Sequence, residues 1–585
     1  MLNLRSFFVM VLAGIALQLN AQAPSTQIAL NQVGFYGAAI KKAIIINAPA
    51  ASKFYILSVN KKDTCYRGDL GNSIQSRFSA ALTKTADFTR LKKAGSYVLY
   101  VPAIGYSYPF NINKNIYYPV ATAAIKAFYY QRASMPLLQQ YAGIWARKEG
   151  HPDTSVLMHP SAATATHAAN TIIASPGGWY DAGDYNKYIV NSGITMGTML
   201  SAYEDFPAYF DTLKTNIPES NNGIPDILNE TLYNLRWMLT MQDKEDGGVY
   251  NKCTNAKFDA MAMPDAAIQK RYVVQKGTAA TLDFAAVMAQ ASRICKKFPT
   301  QLPGLADSCL SAAKLAWQWA TKNPALIYDQ DEMNKHFLPQ IITGGYGDKN
   351  FTDEFFWAAA ELLASTNDTV YIAPLKKIQL SEITLPNWAN VNLLGCYTLL
   401  RVKKQLPVAA SNTIMAAISI KIISLADGLL ANGGNKAFAT IFGQSENDFA
   451  WGSNSVAMNQ SILLVNAYFI TKNKKYLLPA VSNISYVLGQ NATGYCFVTG
   501  FGSKPSMHPH HRPSVADGII EPVPGLLVGG PNPGRQDKCF YANLETETSY
   551  TDDDCAYASN EIAINWNAPL VYVVNAIEAL QSQLQ

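Results

Sequence analysis

Nine consecutive residues carry the densest chemistry of the chain: Gly177-Gly178-Trp179-Tyr180-Asp181-Ala182-Gly183-Asp184-Tyr185. Two carboxylates stand three positions apart in a tight, glycine-containing segment flanked by aromatic rings. Close carboxylates cannot both ionise freely, so their protonation is coupled. One can take a proton from water while the other orients that water. The pair would equally suit an N-cap, an Asx turn or a calcium ligand pair. Far downstream, Tyr550-Thr551-Asp552-Asp553-Asp554 leads to Asn560-Glu561, a second acidic group. Glu561 stands just before apolar Ile562-Ala563-Ile564, at the expected start of a helix. Apolar walls raise a carboxyl's pKa and make it an acid near neutral pH, whereas a helix N-terminus favours the anion. The plain alternative is a first-turn helix glutamate. Brought together by folding, the two groups supply what cleavage of a glycosidic bond needs, one to give a proton and one to activate water.

A third segment, Met507-His508-Pro509-His510-His511-Arg512, offers three histidines and an arginine in six residues. These can donate hydrogen bonds to sugar hydroxyls, ligate zinc, or simply sit at a surface. A zinc site wants about four ligands with cysteines or an HExxH helix, and neither is apparent. Loop aromatics, among them Trp179, Tyr180, Tyr185, Tyr188, Tyr250, Phe501 and Tyr550, are placed to stack on pyranose faces.

Two kinds of element must position these groups. Residues 26–112 read as short strands: Lys42-Ala43-Ile44-Ile45-Ile46, Lys53-Phe54-Tyr55-Ile56-Leu57 and Ser96-Tyr97-Val98-Leu99-Tyr100-Val101, separated by turns such as Arg67-Gly68-Asp69. That pattern fits a small β-sandwich. From residue 117 to 582, alanine-rich segments with helical apolar spacing recur: 225–242, 278–295, 311–321, 353–363, 412–430, 456–471 and 568–580. So many helices predict a large all-α domain, an α/α barrel or toroid, with a cleft built by long loops at one end. The loops 174–190, 243–276, 495–535 and 536–560 have functional length.

The chain has 585 residues, 49% hydrophobic and 15% charged, which suits a multidomain globular protein. A net charge of +5 over this length, without a basic run, excludes a nucleic-acid partner. Arg5, apolar residues 7–19 and the small residues around Ala21 and Ala23 read as an export signal over residues 1–23. The expected location is therefore secreted or periplasmic, with no membrane attachment after signal removal. Eight cysteines without a CxxC pair do not make a disulfide scaffold. Cys539 and Cys555 are the pair to test first, against free buried thiols.

Taken together, the three motifs resemble glycoside hydrolase family 9, the inverting cellulases. The segment 177–185 looks like that family's first catalytic motif. Phe497-Val498-Thr499-Gly500-Phe501-Gly502, Lys504 and His508-Pro509-His510-His511-Arg512 look like its histidine signature. Tyr550-x-Asp552 with Tyr557, Asn560-Glu561-Ile562-Ala563 and Asn567-Ala568 look like its second signature. Ile28-Ala29-Leu30-Asn31-Gln32-Val33-Gly34-Phe35 resembles the opening of the immunoglobulin-like module found ahead of the catalytic domain in one branch. The resemblance implies an immunoglobulin-like sandwich followed by an (α/α)6 barrel. It implies Asp184 as the base, assisted by Asp181, and Glu561 as the acid. It implies that His510 and Arg512 contact the sugar and that Asp552 supports Glu561. An inverting enzyme needs about 6.5–9.5 Å between its acid and base carboxyls.

The chain also departs from the family. Relatives in this branch often hold a structural zinc with Gln-Arg-Cys-Gly and Ala-Cys-His segments. Here the matching stretches are Gln131-Arg132-Ala133-Ser134 and Glu149-Gly150-His151, so no zinc is expected despite His151, His159 and His167. Relatives also often bind calcium near an Asp-Glu pair, and Asp353-Glu354 resembles that pair, making them candidate calcium ligands. No cofactor is expected to be required. Val249-Tyr250-Asn251 stands where relatives often have Val-Tyr-His. The resulting expectation is a monomeric endo-acting β-1,4-glucanase on cellulose and related β-glucans, with Trp179, Tyr180, Tyr185, Tyr250 and Arg512 binding substrate. The rivals are an exo-acting glucosidase or glucosaminidase on the same scaffold, and a carbohydrate-binding protein without turnover.

Overall fold

The computed structural model describes residues 23–407 and 413–584. The export signal expected over residues 1–23 lies, but for its last residue, outside the described residues. The N-terminal part is a sandwich of two sheets. One has the strand order Ile28–Leu30, Lys42–Ile46, Leu82–Asp87, Ile74–Gln75. The other runs Gly34–Phe35, Phe110–Ile112, Gly95–Val101, Lys53–Ser58, Thr64–Asp69, with Gly105–Tyr106 paired to Gly95–Val101. Ala43 and Ile45 point into the sandwich core with Phe35, Phe54 and Leu99. Ile44, on the opposite face, packs on Ala437 and Phe438 of the helical domain. Both faces of this strand are therefore covered, which is why it reads as a continuous apolar run rather than an alternating one.

The rest is a double ring of helices. Six are lined mostly by buried residues: Ile189–Asp205, Thr278–Cys295, Thr352–Thr366, Asn392–Arg401, Ser453–Thr471 and Ile564–Ala579. A helix buried all round must be apolar or small all round, and the alanine-rich sequences satisfy this. Each carries an outer partner, in the same order Asp226–Thr240, Leu305–Lys322, Ile372–Leu375, Thr413–Asn432, Lys474–Val487 and Tyr118–Tyr130. Thr413–Asn432 is apolar enough to cross a membrane by length and composition, but it takes its place in this outer ring beside Ser453–Thr471.

The sequence reading missed one element. The loops between residues 156 and 273 form a small five-stranded sheet, ordered Ile172–Ile173, Val156–Met158, Arg271–Val273, Lys252–Asn255, Lys187–Tyr188. Its last strand runs directly out of the Asp181–Asp184 segment into the inner helix Ile189–Asp205. At the far end of the chain, Cys539 and Cys555 are joined in a disulfide.

Candidate active site

The Asp181–Asp184 segment hangs between the small sheet and the segment that carries Glu561. Beneath it, buried Asp153 pairs with Lys187 at 2.7 Å and Arg271 at 3.0 Å, and Arg271 also donates to the Tyr185 carbonyl. Burial pushes Asp153 up, but the two cations outweigh it and hold the carboxyl down at about 2. Gly183 presses on the next layer: a Cβ there would lie 2.2 Å from the His510 carbonyl oxygen. Only glycine permits that approach.

Glu561 does not open a helix. It is extended, between the short helical turn Tyr557–Asn560 and the helix that begins at Ile564. Three backbone links fix it: Gly529 donates to its carbonyl at 2.8 Å, residue 561 bridges to His510, and Ala563 bridges to Ala182. The main chain thus stitches all three sequence motifs together.

Asp181, Asp184 and Glu561 line one cleft of about 390 Å³, walled by Tyr188, Phe258, Tyr346, Trp388, Trp451 and Trp566. Asp181 is buried, and both its oxygens are engaged, by Asn191 at 2.6 Å and the Tyr346 hydroxyl at 2.7 Å. Burial and then the neighbouring Asp184 raise its pKa. Asp184 receives the Asn186 amide and the Tyr188 hydroxyl, the latter at 3.1 Å, both on Oδ2. Among the described residues no donor reaches its Oδ1, which leaves that oxygen for water. Glu561 has its pKa raised well above the carboxylate range by burial, then by Asp184 and Asp181; Arg512 and the Gly183 amide pull weakly the other way. Asp184, hydrogen-bonded on one oxygen, and Glu561, a carboxyl held protonated, share a cleft, an arrangement that suits acid–base cleavage.

Tyr346 sits at positive φ, +48°, a strained conformation for a bulky residue. Its neighbours hold it there: Tyr188 and Trp388 pack edge-on, at 4.9 and 5.5 Å. Lys252, buried and with its pKa pushed far down by burial, donates to the Gly344 carbonyl at 2.6 Å, and the Gly344 N–H donates to Tyr188.

Several expected roles are corrected. Trp179, Tyr180, Tyr185 and Tyr250 do not face the cleft; all four are buried. Trp179 packs on Phe128, Tyr180 bonds His151, Tyr185 bonds the Ala262 carbonyl and Tyr250 bonds Asp243. Arg512 is also buried and spends its guanidinium on the carbonyls of Asp259 and Gly183, tying the loop that carries Phe258 to the Asp181–Asp184 segment. His510 donates from Nδ1 to the Asp554 carbonyl at 2.6 Å and packs on Tyr557; burial lowers its pKa and keeps it neutral. Asp552 does not bond Glu561 itself among the described residues; it accepts from the N–H groups of Met507 and His508 and from Asn560, the residue before Glu561. The reading of the sequence missed the cleft walls Phe258, Tyr346, Trp388, Trp451 and Trp566. Gly344-Gly345-Tyr346 and Trp451-Gly452 carried the same glycine–aromatic signal as the first motif.

The donor sets separate two metals. His151, at the position the resemblance gives to zinc, bonds Tyr180 through Nδ1, His159 bonds Ser161 and the Pro339 carbonyl, and His167 lies apart, 3.7 Å from Asp243. Ala133 packs with Tyr180, Tyr185 and Ala267. This set does not fit zinc. By contrast, among the described residues the buried oxygens of Asp283 and Glu354, and one of Asp348, find no hydrogen-bond donor, and burial, then nearby Asp353 and Asp348, push the Asp283 and Glu354 carboxyls up. Orphaned, hard, buried oxygens fit calcium.

The xyloglucan-specific endo-beta-1,4-glucanase BoGH9A of Bacteroides ovatus is 43% identical over 97% of this chain and 97% of its own length. Endoglucanase D of Acetivibrio thermocellus is 33% identical, over 94% of this chain and 83% of its own. A solved Bacteroides ovatus GH9 structure superposes with a TM-score of 0.90 at 43% identity, covering 95% of this chain and 100% of that one. The double ring is the (α/α)6 barrel of these neighbours. The cellulase N-terminal ig-like domain matches residues 23–105, and glycosyl hydrolase family 9 matches residues 117–574. The second span takes in both acidic segments and the cleft between them, and the chain belongs to glycosyl hydrolase family 9.

Proposed function

We propose that the protein is an exported endo-acting hydrolase that cleaves internal β-1,4-glucosidic bonds of a β-glucan with inversion. The observation that carries this reading is the convergence of Asp181, Asp184 and Glu561 on one aromatic-walled cleft. A glucan chain lies across Trp388, Trp451 and Phe258, whose rings stack on sugar faces. Water beside Asp184 Oδ1 attacks the anomeric carbon and loses its proton to Asp184. The bond from that carbon to the leaving oxygen breaks as Glu561 gives that oxygen its proton. Asp181, fixed by Tyr346 and Asn191, orients the water. Asp283, Asp348, Asp353 and Glu354 would hold a calcium ion, which supplies charge balance for four crowded carboxylates and takes no part in the cleavage. The disulfide Cys539–Cys555 suits an oxidising compartment and supports export.

The similarity to a xyloglucan-specific enzyme makes branched β-1,4-glucan the first substrate to offer, beside carboxymethyl cellulose. Reducing-sugar release is measured for wild type and Glu561→Gln. Internal cleavage gives an early fall in viscosity and a spread of oligosaccharides. Steady release of one small sugar marks exo action instead. Equal activity in both proteins removes Glu561 from the mechanism, and no activity on any β-glucan removes the hydrolase reading.

A further inference from the structure

A loop of the β-sandwich grips the chain segment that leads to Glu561. The hydroxyls of Ser76 and Ser79 both donate to the carboxylate of Glu547, Ser76 at 2.6 Å, and Asn435 of the helical domain donates to its other oxygen. The Ala80 N–H donates to the Glu545 carboxylate at 2.8 Å. Between these anchors, Phe78 is buried against Phe449 at 5.1 Å. Glu547 is itself 3% exposed, and a carboxylate so buried persists only where donors hold it.

From Glu547 the chain runs three residues to Tyr550. The Tyr550 hydroxyl donates to Asn560 Oδ1 at 2.6 Å and meets Ser506 at the same distance. Asn560 in turn donates to the His508 carbonyl at 2.6 Å and to Asp552 at 3.1 Å. The residue after Asn560 is Glu561. Hydrogen bonds and short chain links therefore run without a break from Ser76 and Ser79 to the acid. Asp181 and Asp184 take their side-chain bonds from a separate set, Asn191, Tyr346, Asn186 and Tyr188.

We propose that Glu547, held by Ser76 and Ser79, is a positioning residue for Glu561, through which the sandwich domain sets the acid against the leaving oxygen. This rests on the reading of Glu561 as the proton donor. Loosening the grip displaces the acid and spares the base. The signature is dependence on the leaving group. A sugar alkoxide needs the proton of Glu561 as the glycosidic bond breaks, whereas a dinitrophenolate departs without it.

The test uses the full chain carrying Ser76→Ala with Ser79→Ala. Rates are compared on the β-glucan oligosaccharide that wild type hydrolyses best and on the 2,4-dinitrophenyl glycoside of the same sugar. We expect kcat on the oligosaccharide to fall about tenfold, kcat on the aryl glycoside to change less than about twofold, and KM to hold, since small misplacements of a catalytic group are costly. Ser79→Thr alone, which keeps the hydroxyl, should match wild type on both substrates. An equal fall on both substrates, or no fall on either, overturns the proposal. Thermal melts show whether the double variant folds; where it does not, Glu547→Gln is read by the same two rates and the same criteria. A wild type inactive on both substrates overturns the hydrolase reading instead, a result distinct from a failed positioning role.

Discussion

The main-chain N–H of Ile564 donates to the carbonyl of Asp181 at 2.8 Å. One hydrogen bond thus joins the segment that carries Asp181 and Asp184 to the one that carries Glu561, the proposed base and acid, and the neighbouring bridge from Ala182 to Ala563 reinforces it. Acid and base spacing is set by paired backbone rather than by long side chains.

Glu561 must be protonated to act. Its pKa is raised by burial, then by the charges of Asp184 and Asp181. Asp181→Asn removes one of those charges, so Glu561 loses its proton more easily. The alkaline limb of the kcat/KM profile should therefore move to lower pH. A limb that stays in place, or moves up, contradicts the assignment.

Tyr346→Phe removes the 2.7 Å hydrogen bond to Asp181. That bond lowers the pKa of Asp181, and its loss lets the carboxyl hold its proton to higher pH. A hydrogen bond to a carboxylate contributes about 1.5–3 kcal/mol, so kcat should drop roughly tenfold or more. The acid limb of the profile should shift upward. Steady-state kinetics across pH report both.

Trp451 stands at the cleft, half its surface open, beside Tyr557. Trp451→Ala should leave the fold intact and weaken chain binding. Loss of about 1 kcal/mol of stacking raises KM roughly fivefold with kcat little changed. A large fall in kcat would show instead that this ring takes part in the chemistry.

Asp153 titrates at about 2 in the folded protein, below its unfolded value of about 3.9. Its contribution to stability is present above that unfolded value and is lost as pH falls toward 2. Asp153→Asn leaves Lys187 and Arg271 buried without a counter-charge, at a cost of about 3–5 kcal/mol near neutral pH. Urea unfolding of wild type and variant should show that gap at pH 7 and a narrowing of it in acid.

Calcium should stabilise the fold by binding among Asp283, Asp348, Asp353 and Glu354. At a concentration one hundred times its Kd, a ligand adds about 2.7 kcal/mol. The melting temperature should rise with added calcium and fall with chelator, and Glu354→Gln should abolish the difference. Titration calorimetry with calcium alone reads binding without reference to activity.

Much of this was legible in the chain. The three acids that line the cleft were singled out from residue type and spacing, Asp181 and Asp184 as a close pair among glycines and rings and Glu561 as a carboxyl before an apolar run, although each pattern also suits a cap or a turn. Helix spans were readable because alanine-rich segments buried on all sides carry their signal throughout. The rings that wall the cleft were not readable from proximity to the acids. Trp179, Tyr180 and Tyr185 flank the carboxylates in sequence yet point into the core. Phe258, Trp388, Trp451 and Trp566 come from four distant segments that only closure of the helical ring brings together. The small sheet was missed because strands such as Lys187–Tyr188 are too short to show an alternation.

Gly183 touches the backbone of His510 so closely that no other side chain fits. Saturation mutagenesis at this codon should return a single amino acid among active clones, even though the position bears no functional group. Variation in this cleft is thus confined to its aromatic walls, and new glycan preferences will have to be sought there.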